Sequence, residues 1–184
     1  TAFAAGNVPG SLSIWRDGLP SFMGWFLDYD RPVILVDDFN LELGGVVSHF
    51  VRLGYDNLAG YLAGGFASWF KAGLEIGKTG TLSVQDLDMG LASGPLFLLD
   101  VRDERNRVAH GEIPGTHHIY IGELPARISE VPLDQHVIVY CDAGYKASLA
   151  ASILARNGYR WVENLLGGFT GWKAAGYTTS PVPG

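Results

Sequence analysis

Cysteine is nearly absent from this sequence: Cys141 is the one cysteine in 184 residues, so a disulfide within the chain is excluded. A single thiol agrees with a reducing compartment, and we expect a cytoplasmic protein. Positive charge is also scarce, since 13 Lys and Arg stand against 19 Asp and Glu and give a net charge of −6. Phosphate binding needs clustered Lys and Arg, so the balance argues against a nucleic-acid partner.

Long apolar runs are lacking as well. Stretches such as residues 96–99 are far too short to span a bilayer, and the first ten residues have neither the basic start nor the apolar stretch of a signal peptide. We therefore expect no membrane partner. The composition, with 47% hydrophobic and 17% charged residues, is typical of a globular protein with a sizeable core.

An internal repeat decides the predicted organisation. Residues 64–73 read G-G-F-x-x-W-x-x-A-G, and residues 167–176 read the same. Two further pairs occur upstream in the same order, Gly54-Tyr55 with Gly158-Tyr159 and residues 6–10 with residues 111–115. Kept order with slowly drifting spacing indicates two copies of one domain, which we place at residues 1–78 and 79–184.

Strand and helix signals alternate in each copy. In the second copy, the apolar runs Leu96–Leu99 and Val137–Tyr140 predict buried strands. A helix predicted over Lys146–Asn157 has one apolar face, and Ser83 is expected to cap a helix within 82–91. The first copy has a matching strand at Val33–Val36 and a helical face formed by Leu43, Val46, Val47 and Phe50. The pattern predicts an α/β fold, with a parallel sheet and helices on both faces.

The first copy is predicted to be incomplete at its start. Counterparts of the helix within 82–91 and of the Leu96–Leu99 strand would fall before Thr1. We therefore expect the chain to be part of a longer protein, or to be completed by a fragment or partner that supplies the missing strand.

Cys141 is the candidate nucleophile. It ends the Val137–Tyr140 strand and precedes a helix, and ligands of open α/β sheets bind beyond the carboxyl ends of strands. Backbone N–H groups and a helix N-terminus favour the reactive thiolate, and Lys146 adds positive charge. From position alone, Cys141 can equally be a small buried hydrophobe, Gly144 a turn glycine and Lys146 a solvated residue.

The second copy resembles the rhodanese family over nearly all of residues 80–180. Cys141-x-x-Gly144-x-Lys146-Ala147 is similar to the active-site loop C-x-x-G-x-R-[SA] of that family. The other similar elements, in chain order, are Leu99-Asp100-Val101-Arg102, Gly111-x-Ile113-Pro114-Gly115, and Gly167-Gly168 with Trp172. Lys146 replaces the usual Arg, which keeps the charge but loses the planar fork, and Glu112 stands where His is common.

The resemblance implies a sulfurtransferase. Cys141 would take sulfane sulfur from thiosulfate or a persulfide such as glutathione persulfide, hold it as a persulfide, and pass it to an external thiol or cyanide. The expected substrate-binding residues are Asp142, Ala143, Gly144, Tyr145, Lys146, Ala147, Arg105 and Arg107. Asp100 and Arg102 are expected to be structural, and Arg105 and Arg107 can also be ordinary surface arginines. We expect no metal site and no cofactor in this chain.

The first copy lacks the chemistry of the second. The position equivalent to Cys141 is Asp37, and Glu42 stands at that of Lys146, so this loop cannot hold an anion. We expect a non-catalytic rhodanese-like domain. A degenerate copy before a catalytic one is similar to the C-terminal part of fusions with a metallo-β-lactamase-fold persulfide dioxygenase. Such an upstream domain would carry iron.

Two alternatives have different functions. Phosphatases and arsenate reductases with rhodanese-like folds have five residues between Cys and Arg, whereas four separate Cys141 from Lys146 here, a smaller cradle that suits sulfur better. The other alternative is a module that binds and delivers persulfide without turnover, for example to a fused or partner dioxygenase. Asp142, adjacent to the nucleophile, would blunt its reactivity in that case.

Overall fold

The computed structural model describes residues 2–40, 42–91 and 96–182, so the ends of the predicted domains at residues 1 and 183–184 lie outside it, as do positions 41 and 92–95. The chain forms two compact units. Unit 1 comprises Thr1–Ala5, Gly10–Ser13 and Lys78–Gly184, and unit 2 comprises Gly6–Pro9 and Ile14–Gly77.

The chain divides after Gly77, whereas the predicted domains meet between residues 78 and 79, and two short N-terminal pieces group with unit 1 rather than with the first copy. The physical reason is local bonding. The N–H of Thr79 donates to the carbonyl of Ala4 across 3.3 Å, and the hydroxyls of Ser13 and Ser148 lie 2.9 Å apart.

Unit 1 is an α/β structure. Its strands are β3 (Gly80–Leu82), β4 (Phe97–Asp100), β5 (His117–His118), β6 (Val137–Tyr140) and β7 (Val162–Leu165). Its helices are α1 (Ala2–Ala5), α5 (Val84–Leu91), α6 (Glu104–His110), α7 (Leu124–Arg127), α8 (Tyr145–Arg156) and α9 (Gly168–Ala174), with a 3-10 turn at Ile128–Glu130. Ser83 caps α5 as predicted, because its Oγ accepts the N–H of Asp86 across 3.0 Å.

The strands of unit 1 form one parallel five-stranded sheet in the order β3-β7-β6-β4-β5. β6 is central, with Val137 opposite Phe97 of β4 and opposite Val162 of β7. All four residues of β6 are fully buried, which explains its uninterrupted apolar sequence. The predicted α/β fold with a parallel sheet is confirmed.

Helices cover both faces of this sheet. Ile138 and Tyr140 of β6 pack in one cluster with residues of α5 and α9, including Leu87 and Trp172. The alternate residues of a strand point to the opposite face. There α8 contacts β6 and β7, and its predicted apolar face is buried throughout. Cys141 therefore follows a strand that is packed on both faces.

Unit 2 is smaller. Its elements are the 3-10 turn Arg16–Gly18, α2 (Leu19–Phe26), β1 (Val33–Leu35), α3 (Leu43–Arg52), β2 (Leu58–Tyr61) and α4 (Gly65–Lys71). β1 and β2 pair in parallel. Its core consists of Leu19, Met23, Val46, Phe50 and Tyr55.

Positions related by the sequence repeat have the same local geometry in both units. Gly64 and Gly65 have φ angles of 77° and 58°, and Gly167 and Gly168 have 76° and 55°. Trp69 donates its indole N–H to the carbonyl of Glu75, and Trp172 does the same to Thr178, in both cases six residues on. Antiparallel bridges join Asn7 to Gly77 and Glu112 to Ser180.

The sheet of unit 2 is open where that of unit 1 is covered. Ile34 of β1 is 65% exposed, whereas Ile138, its counterpart in β6, is fully buried. In the predicted helical face of this unit, Val46 and Phe50 are buried, whereas Val47 is 37% exposed.

Within the described residues, no helix is both long and apolar enough to cross a membrane.

Candidate active site

The loop Cys141–Gly144 joins β6 to α8 at the carboxyl edge of the sheet of unit 1. Gly144 has a φ of 101°, in the left-handed region that favours glycine, and it directly precedes the first residue of α8. This conformation turns its N–H back toward the start of the loop, where it donates to Cys141 Sγ across 3.1 Å. The sulfur therefore lies against a hydrogen-bond donor at the positive end of a 12-residue helix.

The start of α9 fixes the other side of the loop. The N–H groups of Phe169 and Thr170 donate to the carbonyls of Cys141 and Asp142 across 2.8 and 3.1 Å. A Cβ atom on Gly168 would collide with both carbonyl oxygens, so only glycine allows this close approach. The Gly-Gly element therefore packs directly against the cysteine loop.

Asn164 on β7 supports the loop from below. Its side-chain amide donates to the carbonyl of Gly144 across 3.0 Å, and only 7% of the residue is exposed. Its Oδ1 atom is buried and has no hydrogen-bond partner among the described residues. Asn164 therefore fixes the carbonyl that follows Gly144, in the peptide next to the one whose N–H bonds the sulfur.

Asp100 and Arg102 form a buried pair beside the loop, with both side chains fully inaccessible. Arg102 Nη2 lies 2.6 Å from Asp100 Oδ2 and also donates to the carbonyl of Gly111. Burial alone lowers the pKa of the Arg102 guanidinium, but its hydrogen bond and attraction to Asp100 outweigh this and raise the pKa. The guanidinium carbon stands 4.0 Å from the centre of the Phe169 ring, a cation–π contact that supports α9.

Lys146 lies in the first turn of α8, but its charge is not free. Lys146 Nζ lies 3.5 Å from an oxygen of Asp103 and 3.8 Å from an oxygen of Asp142. Asn106 ties the two acids together, because its backbone N–H bonds Asp103 and its side-chain amide bonds Asp142. Lys146 is therefore held between two carboxylates, which balance the positive charge that the sequence predicts for it.

Three other expected substrate-binding residues differ in their surroundings. Arg107 is buried and paired with Asp100, Glu104 and Glu112, so its guanidinium balances carboxylates, and its expected role in substrate binding stays a prediction. Ala147 is fully buried within α8, so its side chain has no surface for a substrate. Arg105 is exposed on α6, and its role stays a prediction.

The remaining loop residues are accessible. Ala143 and Tyr145 are exposed, with Tyr145 at 61%, and Asp142 is half-buried, whereas Cys141 itself is only 2% exposed. The loop residues are thus more accessible to solvent than the sulfur of Cys141. In the described residues, no group of three His, Cys, Asp or Glu side chains is arranged to hold a metal ion.

Sequence reasoning missed three polar residues of this site, namely Asp103, Asn106 and Asn164. A local signal existed for one of them, since Asp103 directly precedes α6 and caps it by accepting the N–H of Asn106. No local pattern could indicate Asn164, which reaches the loop from a neighbouring strand 20 residues away in sequence.

Known proteins are similar to unit 1 in sequence. The sequence profile of the rhodanese-like domain matches residues 83–175, which lie within unit 1. A sulfurtransferase of Allochromatium vinosum is 35% identical over 81 residues, covering 44% of this chain and 75% of that protein. The human thiosulfate:glutathione sulfurtransferase is 34% identical over 107 residues, covering 50% of this chain and 91% of that protein.

The fold is also shared with a solved structure. The structure of the Alr3790 protein from Anabaena matches with a TM-score of 0.51 and 29% sequence identity. The match covers 55% of this chain and 82% of the Alr3790 chain. The chain therefore belongs to the rhodanese-like domain family. Within that family it has homologues that are named as sulfurtransferases.

Proposed function

We propose that this chain transfers sulfane sulfur between small molecules through a persulfide on Cys141. The observation that carries the proposal is the hydrogen bond from the N–H of Gly144 to Cys141 Sγ, at the start of α8, in a chain of the rhodanese-like family. That donor and the helix N-terminus stabilise negative charge on sulfur, as both a thiolate and a persulfide require.

The proposed reaction has two displacement steps. The Cys141 thiolate attacks the outer sulfur of the donor, the donor S–S bond breaks, and the donor leaves as a thiolate, or as sulfite if it is thiosulfate. An acceptor thiolate then attacks the outer sulfur of the Cys141 persulfide. The S–S bond to Cys141 breaks, the acceptor leaves as a persulfide, and the Cys141 thiolate is restored.

Two structural features support a fixed sulfur position during both steps. Asn164 bonds the carbonyl of Gly144, and the N–H groups of Phe169 and Thr170 in α9 bond the carbonyls of Cys141 and Asp142. These bonds support the loop conformation in which the N–H of Gly144 points to the sulfur. With one cysteine in the sequence, the acceptor is external to the chain.

For unit 2, we propose a second, non-catalytic rhodanese-like domain in tandem with the catalytic one. The shared geometry of the two Gly-Gly elements supports this, since a Cβ on Gly65 would stand 2.5 Å from the carbonyl of Asp37 and one on Gly168 would meet that of Cys141. Arg16 pairs with both Asp37 and Glu42, so one cation offsets part of the negative charge of this acidic loop. The exposed Ile34 supports an additional strand, which an upstream segment would supply.

The proposed parent is a fusion with an upstream metallo-β-lactamase-fold persulfide dioxygenase, in a cytoplasmic and reducing environment. Its support is the order of the two copies, with the copy that lacks cysteine first. The iron of that reaction would belong to the upstream domain.

Mass spectrometry tests the proposed transfer. Protein incubated with glutathione persulfide or thiosulfate should gain about 32 Da on Cys141, the mass of one sulfur atom in a persulfide. Addition of a thiol should remove the adduct, and Cys141→Ser should show neither adduct nor turnover. Sulfur transfer that survives in Cys141→Ser would reject the proposal.

A delivery module without turnover is the second candidate, and the pairing of Lys146 with Asp103 and Asp142 favours it. The same experiment separates the two, because a delivery module loads Cys141 once but does not cycle with small thiols. Hydrolysis of p-nitrophenyl phosphate without any sulfur adduct would instead indicate a phosphatase.

A further inference from the structure

The ammonium group nearest the Cys141 loop lies behind two carboxylates. Lys146 Nζ contacts Asp103 at 3.5 Å and Asp142 at 3.8 Å. The side chain of Lys146 is 22% exposed, whereas those of Asp142 and Asp103 are 37% and 46% exposed. A molecule that approaches the loop from solvent therefore meets the two carboxylates before the ammonium group.

Both carboxylates are held in place. Asn106 donates its backbone N–H to Asp103 across 3.0 Å and its side-chain amide to Asp142 across 3.1 Å. Burial by itself would raise the pKa of Asp103, but the hydrogen bond from Asn106 and the attraction of Lys146 outweigh it and lower that pKa. The group of Lys146, Asp103 and Asp142 thus has a net charge of −1 at neutral pH.

The neighbouring surface has the same sign. An open pocket of about 400 Å³ begins at Asp103 and is lined also by Glu104, His118, Tyr120, Glu123 and Arg127. Its arginine is already engaged, since Arg127 Nη1 lies 3.0 Å from Glu123 and its Nε lies 2.7 Å from Glu130. Three carboxylates and one arginine therefore line this pocket, and the carboxylate of Glu104 is itself paired with Arg107.

We propose that this site selects thiols and persulfides that carry an amino group, and that it disfavours anionic substrates, dianionic thiosulfate most of all. The inference rests on the proposed sulfur transfer at Cys141 and specifies its substrate class. Asp142 and Asp103 are the specificity-determining residues. Their carboxylates attract an ammonium group on the substrate, and they repel a substrate that carries a second negative charge.

The acceptor half-reaction isolates the effect of charge. Cys141 is first loaded as the persulfide with excess inorganic polysulfide, and the excess is removed. Each acceptor thiolate then attacks the outer sulfur, releases the Cys141 thiolate and leaves as its own persulfide. Cysteamine, 2-mercaptoethanol and 3-mercaptopropionate are small thiols with a positive, neutral and negative substituent. Loss of the sulfur adduct from Cys141 is followed in time, and rates are divided by the thiolate concentration of each acceptor.

The expected order is cysteamine fastest and 3-mercaptopropionate slowest, with a span of about tenfold from charge steering. Added salt should narrow the span, because it screens exposed charges. Asp142→Asn and Asp103→Asn should each reduce the span. Asp134→Asn is the matched control, because it removes an exposed carboxylate that precedes β6, at the opposite edge of the sheet, and should leave the span unchanged.

Two results distinguish the possible failures. Equal rates for the three acceptors, or a span that Asp134→Asn reduces as much as Asp142→Asn, would overturn the charge selection while leaving sulfur transfer intact. If Cys141 gains no sulfur from polysulfide, thiosulfate or glutathione persulfide, the proposed transfer itself is wrong, and the selection falls with it.

Discussion

The side-chain amide of Asn164 holds the carbonyl of Gly144 across 3.0 Å, and the N–H of the same Gly144 bonds Cys141 Sγ. A residue of β7 is thus linked to the sulfur of Cys141 through the two peptide groups on either side of the Cα atom of Gly144. The relationship makes Asn164 a positioning residue, since it touches the loop and not the sulfur.

Replacement of Asn164 by Leu should lower kcat for sulfur transfer about tenfold, which corresponds to loss of one hydrogen bond of about 1.4 kcal/mol. KM for the donor should change little, because the substrate-facing side chains remain. Alkylation of Cys141 by iodoacetamide at pH 7 should slow in parallel. Asn157→Leu is the control, because Asn157 makes the same kind of bond, to the carbonyl of Ile153, at the far end of α8. Equal loss of kcat in both variants would show that the effect is only structural.

Gly144→Ala tests the left-handed conformation of the loop. An L-residue at a φ of 101° is strained by roughly 1–2 kcal/mol, and relief of that strain would turn the N–H away from the sulfur. We expect a lower melting temperature together with a loss of sulfur transfer of at least about tenfold. Gly158→Ala carries a comparable strain, with a φ of 90° and open space around the added Cβ, but lies after α8. It should lose stability and keep activity, and an inactive Gly158→Ala would contradict this assignment.

Asp103→Asn tests the charge of Asp103 separately from its role as the N-cap of α6. Asn caps a helix as well as Asp does, so the variant should keep the bond from the N–H of Asn106. Because the pKa of Asp103 is lowered in the folded chain, its charge stabilises the fold fully above the unfolded value of about 3.9. This contribution is lost as the pH falls through the lower folded pKa. Melting curves should therefore show the wild-type chain slightly more stable at pH 7, with the difference vanishing in acid; a difference that widens in acid would refute the charge effect.

The pair Ile34 and Ile138 provides a test of the open sheet in unit 2. Ile138→Lys would bury an unpaired charge in β6. It should lower the free energy of unfolding by about 4 kcal/mol or more and so unfold unit 1. Lys at the 65% exposed position 34 should change the free energy of unfolding by no more than about 0.5 kcal/mol. Denaturation by urea measures both. Strong destabilisation by Ile34→Lys would mean that this face is covered in solution.

The sequence could predict the elements that depend on local patterns. Val137–Tyr140 is apolar and β-branched because it is buried on both faces, and the strand has the predicted bounds. The glycines of residues 167–168 were visible as a repeat, but only the structure explains them as the place where α9 meets the loop. The ion pair between Lys146 and Asp103 was not predictable from local patterns. Asp103 follows a different strand and lies 43 positions earlier in the chain.

The contact of Gly168 with Cys141 links the site to the order of the chain. The loop after β6 receives its bonds from Phe169 and Thr170, which come almost 30 residues later and close to the end of the described chain. A polypeptide that stops before Gly167 would contain the nucleophile and the strand before it, but no partner for the loop carbonyls. During synthesis, Cys141 is therefore made before the residues of α9 that bond the carbonyls of its loop.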